Sequence, residues 1–586
     1  MKDIMNIKWL HPLLCAAGLI VLGACTDDHF DINADVQGEV SLWENIKNNP
    51  QLSQFADILQ RTTYSKSEGN LTSQNYADLF SNDQTFTIWA PADNTFDYDR
   101  FDALLKSGDV LDNYTVEKEL IRNIMTRYSH VMNGTGQLEL RLFNDKNALF
   151  NCAEGTINNY SITTPNIGAS NGILHITDGA VAYQPNLYEY LAINEDIDSL
   201  HQFIKGYEKN EFSESQSTQG PTVNGNITWV DSVMYTHNQY LSNINAYINR
   251  EDSCYVMIMP TNQLWKEVLE KTRSLYRFKS SYSQSVTTMD ENGNSTTQNI
   301  TTELSDVEMD SLQNLYSKSA IVDNLVFNVN SQYGHPFEDF AQEGKCDSLQ
   351  STIGTVFYDP YSARLFDGQQ PVTLSNGYAY VVDHFNFRPE DTWGKMRKIE
   401  TEYNRFIETY QNCTPTTERI NKEMTYVDLN GETQDTLVEV SVLRTIQTSS
   451  AANPVVTFKI YNTNSCRYDI YLVMAYNTEA MMPNNFRAYI SYHDAENAEM
   501  VTTQLQSENE DPRSFQNKAP YVDVEGNYHY TDSVLLAKDF EFPVCTQGLE
   551  NAYATIRIQS YVNSSQTSTY SREMWIDKIV LKMKEE

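Results

Sequence analysis

Apolar residues recur at helical spacing at Leu42, Ile46, Leu52, Phe55, Ile58 and Leu59, with Pro50 as a break, so the chain should open on a helical leader. The period then changes. Phe86-Thr87-Ile88-Trp89-Ala90-Pro91 alternates like a buried strand, proline stops the ladder, and Asp93 and Asn94 offer turn and capping oxygens for a following helix. A segment from Ile121 to Val131 carries Tyr128-Ser129-His130, and Asn171-Gly172-Ile173-Leu174-His175-Ile176-Thr177-Asp178 predicts a tight turn feeding a strand.

The pattern then returns. Residues 187–204 form a second amphipathic leader, and Tyr255-Val256-Met257-Ile258-Met259-Pro260-Thr261-Asn262-Gln263-Leu264-Trp265 aligns without a gap onto 86–96, Pro260 on Pro91 and Trp265 on Phe96. Leu325-Val326-Phe327-Asn328-Val329 falls at the Tyr-x-His segment, and Asn376-Gly377-Tyr378-Ala379-Tyr380-Val381-Val382-Asp383 repeats the closing strand. In this alignment His130 corresponds to Val329 and His175 to Tyr380. The second copy is longer, and part of the excess is a polar alternation over 281–304 around Asp290-Glu291-Asn292-Gly293-Asn294. That stretch is expected to be a projecting hairpin. A calcium loop fits less well, because its glycine stands fourth rather than sixth.

The order of these pieces (helix, strand with a proline turn, Tyr-x-His segment, closing Asn-Gly-x-x-His-x-x-Asp strand) resembles a fasciclin domain over residues 40–188, and the second copy resembles it again without the histidines. The resemblance implies an adhesion or binding module. Any role for the family histidines would then apply to the first copy alone, where a core histidine bridging two elements is the simpler expectation.

Residues 390–586 read differently. Met396, Ile399, Tyr403, Phe406, Ile407 and Tyr410 suggest one amphipathic helix. Strand-like runs follow at 433–444, 453–462, 468–476, 486–493, 532–544, 552–562 and 572–582, separated by turn residues, which argues for an antiparallel sandwich. Its ending, Ala554-Thr555-Ile556-Arg557-Ile558 and then Trp575-Ile576-Asp577-Lys578-Ile579, is similar to the last strands of jelly-roll carbohydrate-binding modules. Trp575 and Tyr570 are the nearest ligand-contact candidates, although a strand-end aromatic usually belongs to the core. The acidic loop Glu508-Asn509-Glu510-Asp511 reads as solvated rather than calcium-binding.

At the N-terminus, Lys2 and Lys8 precede an apolar run from Leu13 to Ala24, shorter than the ~20 residues a spanning helix needs. It reads as a secretory signal. Leu22-Gly23-Ala24-Cys25 resembles a bacterial lipobox, which implies cleavage before Cys25 and lipidation of its thiol. Acyl chains, at ~0.8 kcal/mol per buried CH₂, make such an anchor effectively permanent. Thr26-Asp27-Asp28 resembles the acidic signal that sends lipoproteins to the outer face of the outer membrane, with Asp27 and Asp28 as its export residues.

Composition narrows function. The formal net charge of −36 repels polyphosphates and argues against nucleic acid. The 37 tyrosines suit either strands or a binding surface. Of eight cysteines, the six outside the leader and anchor show no Cys-x-x-Cys spacing, so neither zinc nor a redox motif is implied; any disulfide is expected among Cys413, Cys466 and Cys545. No His-Glu-x-x-His, Gly-x-Ser-x-Gly or phosphate loop occurs.

The sequence therefore predicts an α+β chain of two tandem fasciclin-like domains followed by a mostly antiparallel, jelly-roll-like β-sandwich. Its parts are a lipoprotein signal peptide (1–24), an acidic tether (25–39), fasciclin-like domain 1 (40–186), fasciclin-like domain 2 with insertions (187–390) and the sandwich (391–586). The expected function is non-enzymatic: a cell-surface lipoprotein, held in the outer membrane by its lipid, that binds a glycan or peptide beside a TonB-dependent transporter and its lid lipoprotein. The alternatives are a fasciclin-type adhesin and a hydrolase in the C-terminal domain. No catalytic residue, metal or cofactor is assigned.

Overall fold

The computed structural model describes residues 36–584, except 216, 224–225, 232–233, 290–294, 330–347, 359, 361–364, 367–368, 386–396, 478–479, 481 and 519. The signal peptide, Cys25, Asp27, Asp28, Cys346 and the 290–294 tip lie outside the described residues. The chain divides into two compact units, Met1–Pro185 and Asn186–Glu586. Among the described residues no helix is long and apolar enough to cross a membrane.

In the first unit, α1 (Leu42–Lys47) starts at a capping box between Ser41 and Glu44, and α2 (Ser53–Arg61) follows the break at Pro50. The central strands are β1 (Phe86–Pro91), β2 (Met125–Arg127), β3 (Tyr160–Ala169) and β4 (Gly172–Thr177) of a seven-stranded sheet. β1 runs parallel to β4 and antiparallel to β2, and every residue of β1 and β4 is buried. Gly172 is required by close approach rather than as a turn residue. A Cβ there would lie 1.9 Å from the Phe86 carbonyl oxygen.

The second unit repeats this arrangement within itself. After α3 (Leu187–Ile193) and α4 (Asp198–Lys205) come β5 (Tyr255–Pro260), α5 (Asn262–Arg273), β6 (Val326–Asn328), β7 (Val372–Leu374) and β8 (Gly377–Val382). The sheet order is β6-β5-β8-β7, with β5 parallel to β8 in the register of β1 on β4: Tyr255 opposes Gly377 as Phe86 opposes Gly172. A Cβ on Gly377 would again sit 1.9 Å from a carbonyl oxygen, that of Tyr255.

Two side-chain clamps recur as well. The Asn171 amide accepts from Leu42 N–H at 2.7 Å and donates to the Phe80 and Asn82 carbonyls, tying α1 to β4. Asn376 does the same with Leu187 N–H and the Ile248 and Arg250 carbonyls. Asp93 and Asn262 form the second pair. The α2 N-cap position is Leu52, whose side chain cannot accept, and the Asp93 carboxylate supplies the missing acceptor to Ser53 N–H and Gln54 N–H. In the second copy Ile197 stands at the α4 N-cap and the Asn262 amide oxygen accepts from Ser199 N–H at 2.7 Å. This corrects the expectation that Asp93 caps the following helix, Tyr98–Ser107, which Asp97 caps instead.

Two further correspondences shift. Tyr128 N–H bonds the Thr85 carbonyl as Val329 N–H bonds that of Cys254, so Val329 matches Tyr128 rather than His130. His175 and Tyr380 do correspond, opposite Trp89 and Ile258. Trp265 is buried within α5, whereas Phe96 is half-buried in the turn before its helix.

Strands Ser281–Met289 and Ser295–Glu303 pair antiparallel, as expected of the hairpin. Beyond residue 396 the described chain carries almost no helix. The amphipathic helix expected over 396–410 is instead a strand, Arg397–Glu400, a 3₁₀ turn, Asn404–Phe406, and β9 (Ile407–Gln411). Ile399 and Thr401 are both fully or nearly buried at a spacing of two. Pairing of Arg397–Glu400 with the last strand of the chain overrides the weak helical period.

β10 (Cys413–Val427) and β11 (Thr433–Gln447) form a long hairpin, followed by β12 (Val455–Ile460), β13 (Arg467–Ala475), β14 (Asn485–His493), β15 (Met500–Gln504), β16 (Thr531–Glu541), β17 (Ala554–Ser560) and β18 (Trp575–Met583). They make two antiparallel sheets, β10-β11-β18-β13-β16 and β9-β12-β17-β14-β15, whose inner residues share one core built on Leu472, Ile576 and Ile579 from the first sheet and Phe458, Ile490 and Ile556 from the second. Leu275 and Tyr276, at the end of α5, join that core, and Arg277 N–H donates to Ser465 Oγ at 2.9 Å. Cys413, Cys466 and Cys545 are buried thiols, so the disulfide expected among them is not formed. Burial pushes the Cys413 thiol up to about 11 and that of Cys545 to about 12.

Candidate functional site

The residues singled out by sequence do not converge. His175 is fully buried, stacked on Trp89 with ring centroids 5.8 Å apart. Its Nε2–H donates to the His130 carbonyl at 3.0 Å and its Nδ1 accepts from Asn166 N–H at 3.3 Å, which fixes a neutral ring. Desolvation lowers it to about 4. It bridges elements and presents nothing to a ligand.

Trp575 is 3% exposed, and its indole N–H donates to Glu573, which also receives Arg444 Nε at 2.8 Å. Tyr570 is half-buried in the loop between β17 and β18. In the 508–511 loop, Asp511 takes the backbone N–H of Arg513, and among the described residues no group of three or more His, Cys, Asp or Glu side chains could hold a metal ion. Asp577 is the sandwich acid moved up to about 6, by burial, but Lys578 lies 3.4 Å from it.

A buried polar cluster in the first unit went unread in the sequence. Glu117 opens a π-helical turn, Glu117–Ile121, and is fully buried. Its carboxylate accepts from Ser65 N–H (2.8 Å), Ser65 Oγ, Tyr76 Oη (2.9 Å), Asn113 Nδ2 (3.3 Å) and Arg122 Nη2 (2.9 Å). Arg122 also lies over the rings of Tyr64, Tyr114 and Phe143. Every partner is internal, so the cluster locks the fold rather than a ligand.

The outer face of the β9-β12-β17-β14-β15 sheet gathers polar and aromatic side chains. Alternation dictates it: Phe486, Ala488, Ile490, Ile556 and Ile558 point into the core with no exposure, so Arg487, Tyr489, Arg557 and Gln559 point out. Tyr489 pairs directly with Arg557, and the guanidinium lies 4.0 Å from the ring centroid. Arg487 pairs with Gln559 and stacks 3.6 Å from the Tyr561 ring. Gln504 flanks Tyr489 on β15, and Thr457 flanks Arg557 on β12.

The hairpin closes one end of this face. Ser283 N–H donates to the Ala498 carbonyl at 2.9 Å, and Gln284 Oε1 accepts from Tyr553 N–H at 3.1 Å and lies 3.2 Å from His493 Nε2. The strand pattern 486–493 and 552–562 marked these strands in sequence, but cross-strand register, which brings arginine onto tyrosine, is not readable there.

Residues 50–182 match the Fasciclin domain model. No curated protein matches the chain. Among solved structures, a FAS1 domain pair from the insect cell adhesion molecule fasciclin I is 10% identical, covering 52% of this chain and 90% of that one at a TM-score of 0.20. A Clostridium thermocellum xylanase structure with CBM22-1 and GH10 modules is 15% identical, covering 32% of this chain and 28% of that one at a TM-score of 0.17. Both superpositions are too poor for a shared fold to follow from them. The family match stands by itself: the chain contains a fasciclin domain at residues 50–182.

Proposed function

We propose that this chain is a non-enzymatic, lipid-anchored surface protein that captures an extracellular glycan or peptide as the accessory subunit of a TonB-dependent uptake complex. The observation that carries the binding role is the fasciclin domain at 50–182. The equivalent clamps at Asn171 and Asn376, and the equivalent close approaches at Gly172 and Gly377, support a second fasciclin-like domain over 187–390. Residues 391–586 are read as a jelly-roll-like sandwich that meets the ligand through its Arg- and Tyr-bearing outer face. The lipid anchor at Cys25 and the export residues Asp27 and Asp28 rest on sequence alone.

The fasciclin domain equally favours a second reading, an adhesin that attaches cells to a surface or to one another. A mild-detergent pull-down of the tagged protein from native membranes separates the two. Co-purification of a transporter barrel and its lid lipoprotein supports uptake. Recovery of the chain without a barrel, with loss of cell attachment on deletion, overturns uptake in favour of adhesion.

A further inference from the structure

The outer sheet face carries two arginines stacked on tyrosine rings. The chain is strongly acidic, at −36, so a surface arginine has carboxylates in excess to choose from. On the other sheet three cations take them: Arg444 binds Glu573 at 2.8 Å, Lys584 binds Asp469 at 3.3 Å, and Lys578 lies 3.6 Å from Glu400. Arg487 and Arg557 do not. Among the described residues each contacts a tyrosine ring and no carboxylate within ion-pair distance. Asp511 acts on Arg487 only at longer range and is itself bonded to Arg513. Arg487 Nε is buried with no acceptor.

Stacking on a ring uses the flat face of a guanidinium and leaves its in-plane N–H donors free of the ring; with Arg487 Nε buried, its two terminal Nη groups form the edge that can meet a carboxylate. The two arginines sit on adjacent strands one pair apart, which makes them diagonal neighbours at roughly 7–8 Å. Around them lie Gln504 and Gln559, neutral amides that both donate and accept, as sugar hydroxyls require. Among the described residues no large apolar side chain is exposed on these strands to anchor a peptide.

We infer that the outer face of the β9-β12-β17-β14-β15 sheet binds an acidic glycan, with uronate-type carboxylates received by Arg487 and Arg557 and hydroxyls by Gln504 and Gln559. This rests on the sandwich being the ligand-contacting part and adds the ligand's charge. Lys459, over the Tyr553 ring and facing Glu408, marks the end of the cationic row beside the hairpin.

The test uses the full chain in detergent, with affinity electrophoresis through gels containing polygalacturonate, its fully methyl-esterified form or polyglutamate. Retardation by polygalacturonate should weaken with added salt, and the ester should bind at least about tenfold more weakly, since each charged hydrogen bond lost costs about that much. R487Q and R557Q should each lower affinity about tenfold with unchanged thermal unfolding. The acid-versus-ester comparison holds even if a variant fails to fold. Equal binding of acid and ester, with both variants unaffected, overturns the acidic specificity while leaving glycan capture intact. Binding to none of the polymers, nor to a panel of neutral glycans, overturns both. Equal, arginine-dependent binding of polyglutamate overturns the glycan assignment in favour of an acidic peptide.

Discussion

Glu117 and Arg122 give the sharpest quantitative prediction. Arg122→Met removes the cation paired with a fully buried carboxylate, leaving Ser65, Tyr76 and Asn113 as neutral donors. Stranding a buried charge in this way costs ~3–5 kcal/mol. Glu117→Met should fall at the low end, because Arg122 keeps the Ser65 carbonyl, the Tyr76 hydroxyl and three aromatic rings, and such contacts recover up to ~2 kcal/mol. The double variant removes both charges together and should cost less than the sum of the singles by ~2 kcal/mol or more. Peptide-resolved hydrogen exchange on the full chain reads this without assuming two-state unfolding. Amides over 113–127 should exchange roughly 10²- to 10⁴-fold faster in Arg122→Met, at ~1.4 kcal/mol per decade. Singles costing under ~1 kcal/mol, or a double equal to their sum within ~0.5 kcal/mol, would refute the network as a coupled unit.

Three other outcomes follow from particular residues. His175 titrates at about 4 in the folded chain against 6.5 in the unfolded one, so the unfolded state takes up its proton first as pH falls. Stability of the first unit should therefore drop between pH 6.5 and 4 by about 3 kcal/mol, and His175→Phe should flatten that dependence in the exchange of β4 amides. Asn376→Ala removes three hydrogen bonds between α3, β8 and the chain at 248–250; it should cost ~2–3 kcal/mol in urea unfolding followed by exchange of β8, and an unchanged profile would deny the clamp. Cys25→Ala should abolish palmitate labelling and leave the protein in the aqueous phase, whereas alanine at Asp27 and Asp28 should keep the label but reduce protease accessibility on intact cells.

Much of the fold was legible because its signals are local. The break at Pro50, the strand stopped at Pro91 and again at Pro260, the Asn-Gly pairs at 171 and 376, and the alternation over 281–304 each declare themselves within a dozen residues. What failed depends on neighbours distant in sequence. Asp93 caps α2, some forty residues upstream, because the chain doubles back past an N-cap that is leucine. Residues 397–400 and 407–411 became strands because β18 and β12 offered ladders to pair with. Val329 slid onto Tyr128 because ladder register, rather than the Tyr-x-His motif, sets the correspondence. The site suffered most. Glu117 looked like one acid among 78, and Arg557 gains its meaning only from Tyr489 across the ladder.

The central claim is capture at the cell surface without turnover. Its most direct test is retention of fluorescent extracellular glycans by intact cells that carry the wild-type chain, a deletion, or Cys25→Ala. The account predicts that retention requires both the chain and its anchor, and that the recovered label keeps its original length. Equal retention by the deletion strain, or release of shorter fragments with new reducing ends that depend on the chain, would contradict it.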